Sequence, residues 1–243
     1  MPIEVFSRFE KKYVVTREQM EFLREQISEY MYADKHNKDG KMYNIANIYY
    51  DTKEDLLIGR SIEKPKYKEK LRLRSYGVPE LDDKVFLEIK KKYKGLVNKR
   101  RTTLKLRDAY KFVDEGIRPG ETEYTNKQVM NELEYFLKLY DLEPKVYITY
   151  DRYAYFSKTD NDFRLTFDTN IKTRRTDLRL EAGGYGDLLM GEDFWLMEVK
   201  SLYSFPLWFV KLLSDNQIYS KSFSKYGNEY RAYIKNQEEL LNV

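Results

Sequence analysis

Two periodicities run through this chain. Side chains of a strand point alternately to opposite faces, whereas one face of a helix recurs every three to four residues. In 67–76, Lys68, Lys70, Arg72 and Arg74 alternate with Leu71 and Leu73; in 85–93, Glu88, Lys90 and Lys92 alternate with Val85, Leu87 and Ile89. Patterns of this kind predict strands over 6–15, 44–50, 66–76, 85–93, 96–103, 145–157, 162–171 and 194–202, with an extension through 172–180 left open and a bend at Gly95. The helical period predicts helices after Thr16 and over 53–59, 104–115, 127–140 and 225–236, with another opened by Pro206 in the first turn, where proline is tolerated. Thr16 and Gln19 stand at the spacing of a capping box, and Met20, Leu23 and Ile27 continue on one helical face. Long strands without a repeated strand–helix–strand spacing predict an α+β fold: an antiparallel barrel of eight strands flanked by helices. No Pro/Ser-rich linker or composition shift interrupts it, so 1–243 reads as one domain.

Composition narrows the chemistry. The 44 basic and 40 acidic residues are too balanced for a polycationic tail, and 23 Tyr with 13 Phe exclude a disordered chain. Without cysteine there is no disulfide framework, thiolate zinc site or Cys nucleophile. The one histidine, His36, lies in a polar loop stretch, which argues against a Ser-His-Asp triad. The start of the chain lacks an apolar signal segment, and the longest uncharged run, 201–210, is about half a membrane span. The expected location is cytoplasmic, without a membrane segment. Any metal must be held by carboxylates, which points to Mg²⁺, Mn²⁺ or Ca²⁺.

Charge patterning changes the picture most. Strand parity places Arg8, Lys12, Lys70, Arg72, Arg74, Lys90, Lys92, Lys99, Arg101, Arg152, Arg164 and Lys200 on charged faces, with only Glu10, Glu88, Asp168 and Glu198 among them. That set nets about +8 in a chain whose total is +4. Strand by strand, the plain reading is a half-exposed sheet with its charges outward. A solvated face usually mixes signs, however, because like charges opposite one another on adjacent strands repel. If helices instead coat the apolar faces and the sheet closes, the cations line a lumen with room for side chains or one ligand. Such a tunnel suits phosphate, and its few acids suit a divalent metal bridging phosphate oxygens.

Nine segments carry a more specific likeness: RFEKKY (8–13), YYDT (49–52), KLRLRSYG (70–77), VFLEIKKK (85–92), NKRR (98–101), YDR (150–152), FRLTFDT (163–169), LMEVK (196–200) and SFSKY (222–226). In this order they resemble the triphosphate tunnel metalloenzymes, and within them the VTC domain of the polyphosphate polymerase branch. The CYTH triphosphatases open with ExExK; here Arg8 replaces the first acid, as in the polymerase branch.

The resemblance implies that Lys12, Arg72, Arg74, Lys90, Arg152 and Arg164 act on the transferring phosphates. Lys99, Tyr150, Lys200, Ser224 and Lys225 would bind phosphate. Glu198, with Glu10 and Glu88, would hold Mn²⁺ or Mg²⁺. The implied activity is transfer of the γ-phosphate of ATP to inorganic polyphosphate. A CYTH-like tripolyphosphatase or nucleoside triphosphatase is one alternative. A non-catalytic polyanion-binding module, with RNA bound at steep salt dependence, is another. No motif for sequence-specific nucleic-acid reading is present. The chain looks like a stand-alone catalytic domain without the sensor domain and membrane spans of the fungal complex; a membrane or regulatory partner stays unspecified.

Overall fold

The structure is a computed structural model and describes residues 9–63, 65–94 and 96–241. In chain order its strands are β1 (Phe9–Thr16), β2 (Met31–Ala33), β3 (Tyr43–Asp51), β4 (Tyr67–Tyr76), β5 (Lys84–Tyr93), β6 (Leu96–Lys105), β7 (Glu143–Ser157), β8 (Arg164–Arg174), β9 (Asp187–Leu188) and β10 (Phe194–Ser201). Its helices are α1 (Arg17–Ile27), α2 (Leu56–Ile62), α3 (Leu106–Asp114), α4 (Lys127–Leu139), α5 (Leu207–Asp215) and α6 (Lys225–Leu241). Eight strands form an antiparallel sheet in the order β1-β10-β8-β7-β3-β4-β5-β6; β2 adds to β7 and β9 to β8. No backbone ladder joins β1 to β6 among the described residues, so the barrel is not strictly closed. Its curl still brings Glu10 of β1 within 3.8 Å of Lys90 on β5. The fold is α+β, as expected, built on a tunnel-like antiparallel barrel.

Alternation decides which face is covered. Leu71, Leu73, Leu87 and Ile89 of β4 and β5 pack outward with Phe112 of α3 and Leu133 and Phe136 of α4. Leu165, Phe167, Met197 and Val199 of β8 and β10 pack outward with Leu23 and Ile27 of α1 and Phe209 and Leu213 of α5. Each such side chain removed from water contributes about 1.5–3 kcal/mol, so helices and strand faces stabilise one another. The charged parity is left inside. The capping box at Thr16 forms: its hydroxyl accepts from the Gln19 N–H at 3.2 Å, and the Gln19 side chain accepts from the Thr16 N–H at 3.1 Å.

A third apolar cluster lies on the inward parity. Ile45, Val146, Ile148 and Leu196 meet Ile58 of α2 and Tyr226 of α6, and so close one end of the barrel. Asp51 fastens this plug. One carboxylate oxygen accepts the N–H groups of Thr52 and Leu57, and the other accepts that of Ile58 and the Tyr226 hydroxyl. Because Asp51 caps the turn in this way, α2 begins at Leu56 and not at the expected residue 53.

Three other expectations are corrected. The strand through 172–180 stops at Arg174, whose guanidinium donates to the carbonyls of Asp177, Arg179, Gly183 and Tyr185 and winds the chain around itself. Pro206 precedes α5 as its cap instead of occupying its first turn. The strands β2 and β9 are additional. Residues 6–8, including Arg8, and the bend residue Gly95 lie outside the described residues. No helix among the described residues is long and apolar enough to cross a membrane.

Candidate functional site

The lumen is built from two charged walls. On the first, cross-strand register aligns Arg72 of β4, Glu88 of β5 and Arg101 of β6, and next to them Lys70, Lys90 and Lys99. Glu88 is 1% exposed and accepts from Arg72 Nε at 2.6 Å, Arg101 Nε at 2.5 Å and Lys99 Nζ at 2.7 Å. Burial alone would raise its pKa; Arg72, Arg74, Lys99 and Arg101 outweigh that and hold it well below the usual carboxylate range. The Arg72 guanidinium also donates to the Tyr49 hydroxyl at 3.2 Å.

On the second wall, Arg152 of β7 grips Asp168 of β8 through two bonds, Nε to Oδ1 at 2.6 Å and Nη2 to Oδ2 at 2.7 Å. Lys225, the first residue of α6, reaches the same Asp168 at 2.5 Å and Glu198 of β10 at 3.5 Å. Its ammonium lies 4.2 Å from the centre of the Tyr150 ring. The Tyr150 hydroxyl accepts from Arg74 Nη2 at 3.1 Å, while Arg74 Nε donates to Asn47 at 2.8 Å. Burial would raise the Tyr150 phenol, but Arg74, Arg152 and Lys225 pull it below its ordinary pKa. Glu198 is ringed by Lys12 at 3.2 Å, Lys225 and Lys200 at 3.6 Å. Against the upward push of burial, Lys12, Lys225, Lys200 and Arg152 keep it ionised well below the usual range. Burial would likewise lower the Lys12 ammonium, yet Glu198 and Glu10 hold it above its ordinary value.

The acids do not neutralise the lumen. Lys70 is pushed down to about 7, by burial first and then by Lys90, Lys68 and Lys12. Lys90 and Lys99 are pushed down to about 8 and about 7, mainly by desolvation, with Glu10 and Glu88 opposing and nearby cations assisting. Their side chains remain 40% and 38% exposed, as groups lining an open lumen would be. Cations at this density, outnumbering the carboxylates among them, form a receptor for a polyanion that brings its own negative charge.

The structure gathers Lys12, Arg72, Arg74, Lys90, Lys99, Tyr150, Arg152, Lys200, Lys225, Glu10, Glu88 and Glu198 around this lumen. Arg164, at the start of β8, shares the inward parity and stands cross-strand from Lys200, with its guanidinium over the Phe156 ring at 4.9 Å and its Nε on the Asn161 carbonyl. The Ser224 hydroxyl accepts the Gly227 N–H and so caps α6. Three residues absent from the expected site set belong to the network: Asp168, Arg101 and Asn47. Parity already placed Asp168 and Arg101 on the charged faces; Asn47 had no charge to betray it.

For a divalent cation, no group of three or more acids or histidines is arranged as a cage among the described residues. A pair is available. Lys12 stands 3.5 Å from Glu10 and 3.2 Å from Glu198, joining the two carboxylates. Thr166, the cross-strand neighbour of Glu198, has a buried hydroxyl oxygen without a hydrogen-bond partner. One or two carboxylates, completed by phosphate oxygens, is the set Mg²⁺ commonly takes, so these residues fit such an ion. Glu88 fits it less well, because its two oxygens are already engaged by three cations.

Comparison with known proteins agrees with this architecture. The family model of the VTC domain matches residues 7–234. Subunit 4 of the vacuolar transporter chaperone complex of Trypanosoma brucei brucei is 29% identical over 161 residues, 56% of this chain and 20% of that protein. The same subunit of Trypanosoma cruzi matches at 29% over 161 residues. The match thus spans about a fifth of those relatives' length. Among solved structures, a candidate adenylate cyclase of Bacillus halodurans superposes with a TM-score of 0.56 at 15% identity, over 91% of this chain and 96% of that one. A candidate adenylyl cyclase of Hippeastrum, described as having a dominant triphosphatase activity, gives 0.52 at 14% identity, over 89% and 92%. At these identities the likeness is one of fold.

Proposed function

The chain belongs to the VTC domain family, with the triphosphate tunnel fold, and from that premise we propose that it is a polyphosphate polymerase. In this reading the γ-phosphoryl group of ATP passes to the terminal phosphate of a polyphosphate chain. The bond from the γ-phosphorus to the β–γ bridging oxygen breaks, ADP leaves with the electron pair, and an acceptor phosphate oxygen forms the new bond. That oxygen is already ionised, so neither a protein nucleophile nor a strong base is required.

The observation that carries the reading is a lumen furnished with cations and, among the described residues, without a nucleophile–base pair. Arg72, Arg74, Arg152, Lys12 and Lys225 converge there, the chain has no Cys, and its one His lies in the exposed loop ahead of β3. Arg72, Arg74 and Arg152 would hold phosphoryl oxygens through paired donors, and Lys12, Lys90, Lys99, Lys200 and Lys225 would supply point charge. The Tyr150 hydroxyl would fix Arg74, and Asp168 would fix both Arg152 and Lys225. Positioning and preset charge then supply the rate. Glu198 and Glu10 would hold Mn²⁺ or Mg²⁺, which when bound neutralises charge spreading over the phosphate oxygens. Glu88 is an organiser of Arg72, Lys99 and Arg101 in this scheme.

The test is to incubate the purified chain with ATP and Mn²⁺ and to run the products on a gel stained for polyphosphate. A ladder of long chains that exopolyphosphatase removes supports the proposal. Free phosphate with ADP and no chains would replace it by the hydrolase reading, and RNA binding without ATP consumption by the binding-module reading.

A further inference from the structure

The end of β3 and β4 opposite the Asp51 end from which α2 continues carries inward-facing aromatic side chains. Inward-facing residues of a strand recur every ~6.8 Å. One such step beyond Arg74 on β4 stands Tyr76; cross-strand from Arg74 on β5 stands Phe86; and cross-strand from Arg152 on β3 stands Tyr43. These three aromatic side chains share the parity of the phosphate-facing cations; Tyr43 and Tyr76 stand at that end of β3 and β4, Tyr43 also packing against the edge of the apolar plug. They cluster: Tyr43 and Tyr76 have centroids 5.9 Å apart, and Tyr76 and Phe86 meet edge to face at 5.7 Å. His36 adds a fourth ring, 6.2 Å from Tyr76 and within 15° of parallel to it. The Arg101 guanidinium lies 4.4 Å over Phe86, tying the aromatic rim to the Glu88 cation cluster. Tyr76 is 48% exposed, which leaves it accessible to a stacking partner.

Burying such rings outward against a helix would have been the ordinary use of aromatic surface. Here Tyr76 stands one strand step beyond Arg74, and Phe86 and Tyr43 stand level with Arg74 and Arg152, beside the place where a nucleoside would trail from a triphosphate seated among Arg72, Arg74 and Arg152. A stacking platform is tolerant of base identity, because every base has a π-face, and its worth is set by ring overlap.

We propose that Tyr76, with His36, Tyr43 and Phe86, forms a nucleobase-stacking subsite at this end of the lumen, which favours a nucleoside triphosphate over a bare triphosphate as phosphoryl donor. This rests on the reading of the lumen as a triphosphate site. It separates two jobs: the cations hold the phosphates whatever they are attached to, and the aromatic rim selects what is attached.

The experiment compares ATP, GTP and inorganic tripolyphosphate by calorimetry on the full chain, wild type, Tyr76→Ala and Tyr76→Phe, with Mg²⁺ held constant and the melting temperature of each variant recorded. The expected result is that the wild type binds ATP and GTP about equally, that Tyr76→Ala weakens both about tenfold, the low-to-middle range for losing one base–aromatic stack, that tripolyphosphate affinity is unchanged, and that Tyr76→Phe restores nucleotide binding. Loss of affinity for all three ligands alike, or an ATP affinity unmoved in Tyr76→Ala, would overturn the subsite while leaving the cationic lumen standing. Failure of tripolyphosphate to bind the wild type would remove the lumen reading and the subsite with it.

Discussion

Replacing Glu88 by Gln keeps the side chain's shape and removes the negative charge on which three cations converge. Arg72, Arg101 and Lys99 lie 2.6, 2.5 and 2.7 Å from its oxygens, and the carboxylate itself is 1% exposed. Removing one partner of a buried ion pair costs about 3–5 kcal/mol, and because Arg101 and Lys99 retain about a third of their exposure, the figure expected here is reduced to about 2–4 kcal/mol. For a chain of this size that corresponds to a melting temperature lower by roughly 5–15 °C. The consequence for ligand binding has the opposite sign. Cations stripped of their internal counter-ion gain more from a phosphate chain, so the rise in melting temperature on adding tripolyphosphate should be larger in Glu88→Gln than in wild type. The Mn²⁺ concentration needed for half-maximal ATP consumption should stay where it is, since Glu88 is an organiser in this account. Scanning fluorimetry with and without tripolyphosphate, together with a metal titration, reads all three quantities. A variant as stable as wild type, or one whose metal requirement shifts while its stability does not, would refute the reasoning and return Glu88 to the set of metal ligands.

Other perturbations probe separate parts of the lumen. Arg74→Ala removes paired donors from a site where Tyr150 and Asn47 hold the guanidinium in place; turnover should fall about 10²–10³-fold, the equivalent of ~3–4 kcal/mol, and normal activity would mean that Arg74 does not touch phosphate. Glu198→Gln should raise the Mn²⁺ concentration for half-maximal ATP consumption at least about tenfold, the range seen when metal-site support is lost, and an unchanged requirement at wild-type rate would exclude a ligand role. Lys70, Lys90 and Lys99, pushed down to about 7, 8 and 7, lose charge as pH rises; tripolyphosphate affinity should therefore fall between pH 6.5 and 9, with proton uptake on binding visible as buffer-dependent heat. Glu88, Asp168 and Glu198 have folded pKa values below their unfolded ones. Their contribution to stability is thus present above the ordinary carboxylate range and lost as pH falls through the folded values, which acid unfolding monitored by circular dichroism would read.

Much of this arrangement was legible in alternation alone. Lys70, Arg72 and Arg74 opposite Leu71 and Leu73 fixed both the strand and its inward face, because a period of two leaves one choice of side once the apolar face finds helices to cover it. The capping box at Thr16 and Gln19 was equally local. What escaped was made by contacts distant in sequence. Lys225 starts a helix, and only tertiary packing carries it to Asp168, 57 residues away. Asn170 adopts positive φ, and β8 gains a bulge against β7 there, so the parity of the residues beyond it changes and Ile171 joins the interior. Arg174 reads as one more strand residue until its four loop carbonyls are seen. The strands β2 and β9, three and two residues long, are too short to carry a period. Asp168 was visible by parity, but its importance was not: a carboxylate among cations looks like a counter-ion until both Arg152 and Lys225 are found to depend on it.

The central claim is that the γ-phosphoryl group goes to a phosphate chain and not to water. It is tested most directly by supplying the purified chain with ATP labelled at the γ-phosphate, in parallel with ATP labelled at the α-phosphate, together with Mn²⁺ or Mg²⁺, and measuring how label divides between long polyphosphate and inorganic phosphate. The account predicts that γ-label accumulates in chains that lengthen with time, that ADP appears in step with it, and that α-label never enters the chains. Release of γ-label only as inorganic phosphate, at any metal concentration and with polyphosphate primer present, would contradict it.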